Sequence, residues 1–235
     1  MELKRVIDNV YWLVNGKRTL ASLNMCRGRT VYGEKTFHIN GEEFREWIPS
    51  RSKLAAAFYN GLRDLDLKKG YSVLYLGASS GTTVSHVSDV VGREGAVYAV
   101  EISEEMGSHL ILLAENRKNV YPIIADANKV GEYIKNVPKC DFLYQDVAQR
   151  NQVEIFVKNA ADLLKPGKFG ALCVKTRSID VSASKSEIIA ETRRQLGKAF
   201  NVVASFDLYP YQKDHELILV KKLTGQPVAD RAKKR

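Results

Sequence analysis

From Ser72 onward, short apolar blocks alternate with stretches whose apolar positions recur at helical spacing, and the chain reads as a succession of buried strands and amphipathic helices. The blocks predict strands over 72–76, 96–100, 120–124, 141–145, 168–175, 202–208 and 216–222. The periodic stretches predict helices near 82–91, 103–116, 128–135, 151–164 and 185–199. Alternation on this scale gives an α/β fold, a doubly wound and mostly parallel sheet with helices on both faces. Tyr209 to His215 is too short for a crossover helix, so the last two strands form a hairpin and the final strand runs antiparallel.

The first fifty or so residues follow another pattern, with β-branched and aromatic residues broken by turn signals. Val10 to Val14, Arg18 to Ala21, Thr30 to Tyr32 and Thr36 to Ile39 predict short antiparallel strands, with Asn15-Gly16 and Asn40-Gly41 as hairpin turns. A serine caps a helix predicted over Leu54 to Leu62. The expected organisation is a small β-rich appendage over 1–52, an α/β domain over 53–223 and a flexible basic tail over 224–235.

One stretch carries chemistry. Val73 to Leu76 forms a strand, Gly77-Ala78-Ser79-Ser80-Gly81 a loop, and Val84, Val87 and Val91 the stripe of a helix that Thr82 is placed to cap and Gly92 to end. A second strand, Val97 to Val100, leads to Glu101. Glycines at Gly77 and Gly81 permit a sharp turn and close approach of a ligand, and Glu101 is placed to accept the two hydroxyls of a ribose. The loop lacks the third glycine of a dinucleotide fingerprint and the lysine of a P-loop, so it points to a nucleoside without pyrophosphate, of which S-adenosylmethionine is the commonest. The alternative is a βαβ turn that uses glycine for packing alone.

Ligands of open α/β sheets bind beyond the carboxyl ends of strands. The residues there are Gly77 to Thr83, Glu101-Ile102, Asp126-Ala127, Asp146 to Gln149 and Lys175-Thr176-Arg177. Singly, Asp126 and Asp146 read equally well as helix caps; it is their convergence on one rim that favours a site. Lys175 ends the apolar run from Phe169, so burial would depress its pKa unless a carboxylate such as Asp146 paired with it. His86 and His109 read as solvated helix-surface side chains, His38 has no visible partner, and His215 lies in the final hairpin.

Charge and cysteine content narrow the setting. The chain has 235 residues, a formal charge of +9 and a pI of about 9.4, which favours an anionic partner. The excess per residue is densest at the two ends, and no RNA-binding module with interleaved aromatics appears. Cys26, Cys140 and Cys173 are scattered without metal or disulfide spacing, which fits a reducing compartment, and no metal site is expected. Neither a signal-peptide core nor a membrane-length apolar run is visible, so a cytoplasmic protein is expected.

Leu74 to His86 (LYLGASSGTTVSH), Val97 to Glu101 (VYAVE), Ile123 to Ala127 (IIADA), Asp141 to Gln149 (DFLYQDVAQ) and Lys175 to Asp180 (KTRSID) resemble fibrillarin, the methyltransferase of box C/D ribonucleoproteins. Without a glycine- and arginine-rich N-terminal region, the chain is similar to the archaeal members. The resemblance implies a Rossmann-like methyltransferase fold with a seven-stranded sheet, S-adenosylmethionine as cofactor, and 2'-O-methylation of rRNA or tRNA directed by a box C/D guide RNA. It also implies a Nop-family scaffold and a kink-turn binding protein as partners. Gly77, Ala78, Gly81, Thr82 and Thr83 would approach the methionine part of the cofactor, Glu101 and Ile102 the ribose, Asp126 and Ala127 the adenine, and Asp146, Val147, Ala148 and Gln149 the methyl group. The catalytic set of related ribose methyltransferases falls on Lys53, Asp146 and Lys175, with His215 where those enzymes have glutamate. Tyr75 and Ser79, where generic methyltransferases have an acid and a glycine, agree with fibrillarin. The rival readings are a stand-alone methyltransferase acting on tRNA or protein, and a noncatalytic ribonucleoprotein scaffold.

Overall fold

The structure, a computed structural model, describes residues 1–224, so the tail expected over 224–235 lies outside the described residues except for Thr224. Five strands, β1 (Glu2–Ile7), β2 (Val10–Asn15), β3 (Lys17–Leu23), β4 (Thr36–Ile39) and β5 (Glu42–Glu46), form an antiparallel sheet in the order β1-β2-β3-β5-β4. Thr30 to Tyr32 is not a strand: the backbone N–H groups of Val31 and Tyr32 donate to the Glu34 carboxylate instead of to a neighbouring strand. β1 and β5 were not expected, because their charged side chains hide the alternation that marks a half-buried strand.

After α1 (Lys53–Tyr59) come β6 (Ser72–Leu76), α2 (Thr82–Val91), β7 (Ala96–Glu101), α3 (Glu104–Asn116), β8 (Val120–Ile124) and β9 (Cys140–Gln145). The chain continues through α4 (Gln152–Leu163), β10 (Leu164–Lys175), α5 (Thr176–Ile179), α6 (Lys185–Leu196), β11 (Phe200–Asp207) and β12 (His215–Lys222). The seven strands run in the order β11-β12-β10-β9-β6-β7-β8, and β12 is antiparallel to both of its neighbours while the remaining pairings are parallel. Ser52 caps α1 as expected, but the helix stops at Tyr59, before a left-handed Gly61. The helix expected over 128–135 is two single 3₁₀ turns, Val130–Glu132 and Ile134–Asn136, because Gly131 weakens a helix already too short to propagate.

Alternate side chains of β6 feed two cores. Val73 and Tyr75 pack with α1, with Val84, Val87 and Val91 of α2, and with Val10, Leu20 and Trp47 of the N-terminal sheet. Leu74 and Leu76 pack on the opposite face with Ile155, Phe156 and Leu163 of α4 and Ile189 and Leu196 of α6. Both faces are therefore covered, which is why β6 reads as a continuous apolar run. Cys140 and Cys173 are buried within this frame.

The two sheets also meet through buried charge. Arg45 of β5 is fully buried, with Nε 2.8 Å from Glu34 Oε1 and Nη1 3.4 Å from Asp89 Oδ2, at ion-pair distance but without aligned hydrogen bonds. Its Nη2 donates to Ser85 Oγ at 2.8 Å, and Arg117 Nη1 lies 2.5 Å from Asp89 Oδ1. His86 is completely buried here, contrary to the surface position expected for it. It shares hydrogen bonds with Ser22 Oγ (2.8 Å) and Tyr32 Oη (2.7 Å) and stacks on Trp47 at 4.7 Å. Burial, then the Arg45 and Arg117 charges, lowers its pKa well below the ordinary 6.5, so it is neutral at pH 7. His38, on the other sheet edge, does have a partner: Nε2 lies 3.1 Å from Glu43.

Candidate active site

β6 is the strand from which the sheet grows in opposite directions, to β7 and β8 on one side and to β9 and β10 on the other. The crevice at such a switch point lies between the loops that follow β6 and β9, which here are the Gly77 loop and Asp146 to Gln149. Gly77 has φ +78°, and a Cβ on it would stand 2.3 Å from the carbonyl oxygen of Asp146. At Gly81, with φ +92°, a Cβ would meet Leu113 Cδ2 at 2.5 Å. Gly77 is thus required by the close backbone of Asp146 as well as by its left-handed φ, whereas at Gly81 the left-handed φ is the requirement, since the Leu113 side chain could move aside. Gly81, not Thr82, occupies the N-cap of α2, and no side chain caps this helix; Thr82 is its first residue.

Glu101 is 8% exposed, with Oε2 accepting the Ser79 N–H at 2.7 Å and Oε1 accepting that of Ser103 at 2.9 Å. Each oxygen keeps a second acceptor position, which fits a pair of vicinal hydroxyls. Ser79 reaches its bond from the left-handed region, φ +50°. Beside it Ile102 is 58% exposed, an apolar plate at the rim, while Ala127 is buried. Asp126 Oδ1 accepts from the backbone and side-chain nitrogens of Asn128 (2.9 and 3.1 Å), and Asn128 Nδ2 also donates to Gln149 Oε1 at 2.6 Å. Asp126 does close a local turn, then, yet its Oδ2 accepts no hydrogen bond among the described residues. Diol acceptors, an apolar plate and a spare carboxylate oxygen along one rim suit an adenosine. S-adenosylmethionine fits the residues present.

The four basic and acidic candidates come together on the other side of the Gly77 loop. Lys53 Nζ lies 2.7 Å from Asp146 Oδ2, with the two side chains 20% and 22% exposed. Burial pushes the Lys53 pKa down, but the Asp146 charge and hydrogen bond more than offset it, and the net direction is up. The partner of Asp146 is therefore Lys53, not Lys175 as expected, because α1 brings Lys53 in from the N-terminal side. Lys175 makes no ion pair among the described residues. Its backbone is clamped by the buried Gln152 side chain, which accepts from Lys175 N and donates to Lys175 O, each at 3.0 Å. His215 stands directly across the β10–β12 ladder from Lys175, and Nδ1 bonds the Lys213 carbonyl at 2.6 Å. An antiparallel strand presents its first residue where parallel strands present their last, which is how β12 delivers His215 to this rim. Burial lowers the His215 pKa, and the nearby Lys53 and Lys175 charges add to that against Asp146.

Sequence reasoning missed the groups that hold these side chains. Ser52 Oγ receives Trp47 Nε1 (2.9 Å) and Thr83 Oγ1 (3.0 Å) as well as the Ala55 N–H, tying α1 to α2. Tyr75 and Tyr144, both buried, lie with ring centres 4.7 Å apart, and Tyr144 Oη bonds Cys173 Sγ at 2.9 Å. Ser52 was legible as a cap and Tyr75 as part of the family pattern, but not the contacts they make; Gln152 left a trace as a polar residue on the core-facing stripe of a helix.

Fold and rim together define a Rossmann-like methyltransferase. The fibrillarin family model matches residues 1–224. A fibrillarin-like rRNA/tRNA 2'-O-methyltransferase of Pyrococcus horikoshii is 44% identical over 221 residues, covering 93% of this chain and 97% of that protein. The crystal structure of Aeropyrum pernix fibrillarin with natively bound S-adenosyl-L-methionine superposes with a TM-score of 0.82 at 38% identity, covering 93% and 99% of the two chains. A fibrillarin from a fibrillarin/Nop5p complex gives a TM-score of 0.86 at 40% identity, covering 94% and 100%. The chain belongs to the fibrillarin family.

Proposed function

We propose that this chain transfers a methyl group from S-adenosylmethionine to the ribose 2'-hydroxyl of rRNA, and of tRNA, at positions chosen by a box C/D guide RNA. The observation that carries this reading is the Lys53–Asp146 pair of 2.7 Å on the same rim as the adenosine-like pocket and as Lys175, which makes no ion pair among the described residues. When bound, the cofactor supplies a methyl carbon on a sulfonium, a leaving group that needs no acid. The protein's work is then mainly positioning, which in favourable cases is worth about 7 to 11 kcal/mol, against about 10²- to 10⁴-fold for a general base. Lys53 fixes Asp146 through Oδ2, leaving Oδ1 to accept the hydrogen of the attacking hydroxyl and hold it in line. Lys175, which makes no ion pair among the described residues, stabilises the negative charge that grows on that oxygen as its proton passes to Asp146 Oδ1. His215, neutral at pH 7, adds no competing charge beside the two lysines.

A Nop-family scaffold, a kink-turn binding protein and the guide RNA complete the particle in this reading. The scaffold rests on the fibrillarin/Nop5p neighbour; the other two follow from family membership. The division into a β-rich part over 1–52 and a methyltransferase part over 53–223 is proposed on the two separate sheets. Cytoplasmic residence is likewise proposed, and no helix among the described residues is long and apolar enough to cross a membrane.

Reconstitution with the scaffold, the kink-turn protein and a guide RNA, using tritiated methyl donor and nuclease mapping, tests the reading. Label is expected on the ribose 2'-oxygen of the guided nucleotide. Label on a base or on protein, or none at all, would overturn it.

A further inference from the structure

Two adjoining cavities run away from the rim between the loop that joins β3 to β4 and helix α3. The larger, about 690 Å³, begins at Arg51, Ser80 and Thr82, beside the cofactor loop, and extends to Arg29 and Asn116. The second, about 560 Å³, shares Cys26, Arg29 and Asn116 with the first and ends at Arg93 and Lys118. Neither is lined by a single carboxylate among the described residues, in a chain with 27 aspartates and glutamates. Arg27, Arg29, Arg51, Arg93 and Lys118 are all exposed. Arg27 pairs with Glu42, while Arg29, Arg51, Arg93 and Lys118 form no ion pair among the described residues. Arg29 donates to the Asn116 amide oxygen, and Arg51 lies over the Tyr32 ring at 5.9 Å, so both are held toward the groove without losing their charge.

A group of unneutralised cations repels itself unless an anion lies along it, and one spread over two adjoining open cavities fits a chain of phosphates better than a compact ligand. We infer that this groove carries the phosphodiester backbone of the RNA strand flanking the modified nucleotide, with Arg29, Arg93 and Lys118 as phosphate contacts and Arg51 at the junction with the methyl-transfer rim. The inference rests on RNA being the substrate. It gives the chain a sequence-independent RNA track of its own, so the positive charge at the N-terminal end is not only diffuse. Phosphate contacts fix register and leave target choice to the guide.

The test compares the full-length Arg29→Ala/Arg93→Ala/Lys118→Ala triple variant with Lys17→Ala/Lys135→Ala/Lys198→Ala, three exposed lysines without ion pairs elsewhere on the surface. Binding of a labelled single-stranded RNA oligonucleotide is followed by anisotropy over a salt series. Loss of three phosphate contacts is expected to flatten the slope of log K against log salt by about 2. The control triple should keep the wild-type slope. In the reconstituted particle the groove variant should raise KM for target RNA with kcat unchanged, and cofactor affinity by calorimetry should equal that of wild type. Equal slopes for the groove and control variants would overturn the inference. So would a groove variant that binds RNA normally but no longer associates with the Nop-family scaffold, which would make the groove a protein interface. A wild-type particle that forms no 2'-O-methyl ribose would defeat the proposed reaction instead, while the slopes of the isolated chain would still decide the groove.

Discussion

Charged side chains cluster in two places in this molecule, at the junction of the two sheets and at the rim of the larger one, and they differ in what is left over. At the junction Arg45, Glu34, Asp89 and Arg117 are at most 2% exposed, and every charge has an opposite within ion-pair distance. At the rim Lys53 and Asp146 stay about one-fifth exposed, Asp146 keeps a free oxygen, and Lys175 has no partner among the described residues. Closed networks of buried charge fix a geometry, whereas a network with one acceptor and one cation spare can act on something that arrives. In the proposed reading the same residue types serve architecture in one place and chemistry in the other, and hydration with incomplete pairing separates the two.

The largest expected effect comes from the rim. Asp146→Ala should slow guided methylation by about 10²- to 10⁴-fold, measured as single-turnover rate in the assembled particle, with the melting temperature little changed. A rate within tenfold of wild type would erase the functional side of the contrast. At the junction the balance should reverse: Arg45→Met strands the buried Glu34 carboxylate, leaves Asp89 with Arg117 alone, and should cost about 3–5 kcal/mol of stability, read by chemical denaturation. A loss below 1 kcal/mol would show the network to be dispensable. A smaller effect concerns pH. His86 has a depressed folded pKa, so its contribution is present above the ordinary 6.5 and is lost as pH falls from there toward the folded value. Stability should fall in that range by up to about 1.4 kcal/mol per pH unit from this group, and His86→Gln should show a shallower fall; an unchanged slope would place the acid sensitivity elsewhere. The smallest change expected is His215→Gln, which should lower the methylation rate by at most about five-fold, the scale of one neutral hydrogen bond. A hundredfold loss would move His215 into the chemistry.

The strand ends were legible because buried parallel strands are short apolar runs with an abrupt polar stop, so Gly77, Glu101, Asp126, Asp146 and Lys175 announced themselves by position. Pairing was not legible. Nothing in spacing says that Asp146 takes Lys53 rather than Lys175, since that depends on where α1 docks. Burial of Arg45 and His86 was hidden for a related reason: they lie some 40 positions apart, and each looks polar in its own element until the sheets meet. Thr82 was misread because a threonine before an apolar stripe is a good cap, while the structure uses a left-handed glycine whose missing Cβ also makes room for Leu113.

Gly77 has a consequence of another kind. Its α-carbon lies against the carbonyl of Asp146, so that an added Cβ would stand only 2.3 Å from that oxygen. In the proposed reading, the loop that receives the methyl donor and the residue that meets the methyl acceptor therefore touch backbone to backbone. A displacement of the loop by even a fraction of a bond length must be transmitted to the backbone of Asp146. On that reading a side chain at position 77 would push the donor and acceptor sides of the crevice apart, so the backbone contact itself contributes to their alignment.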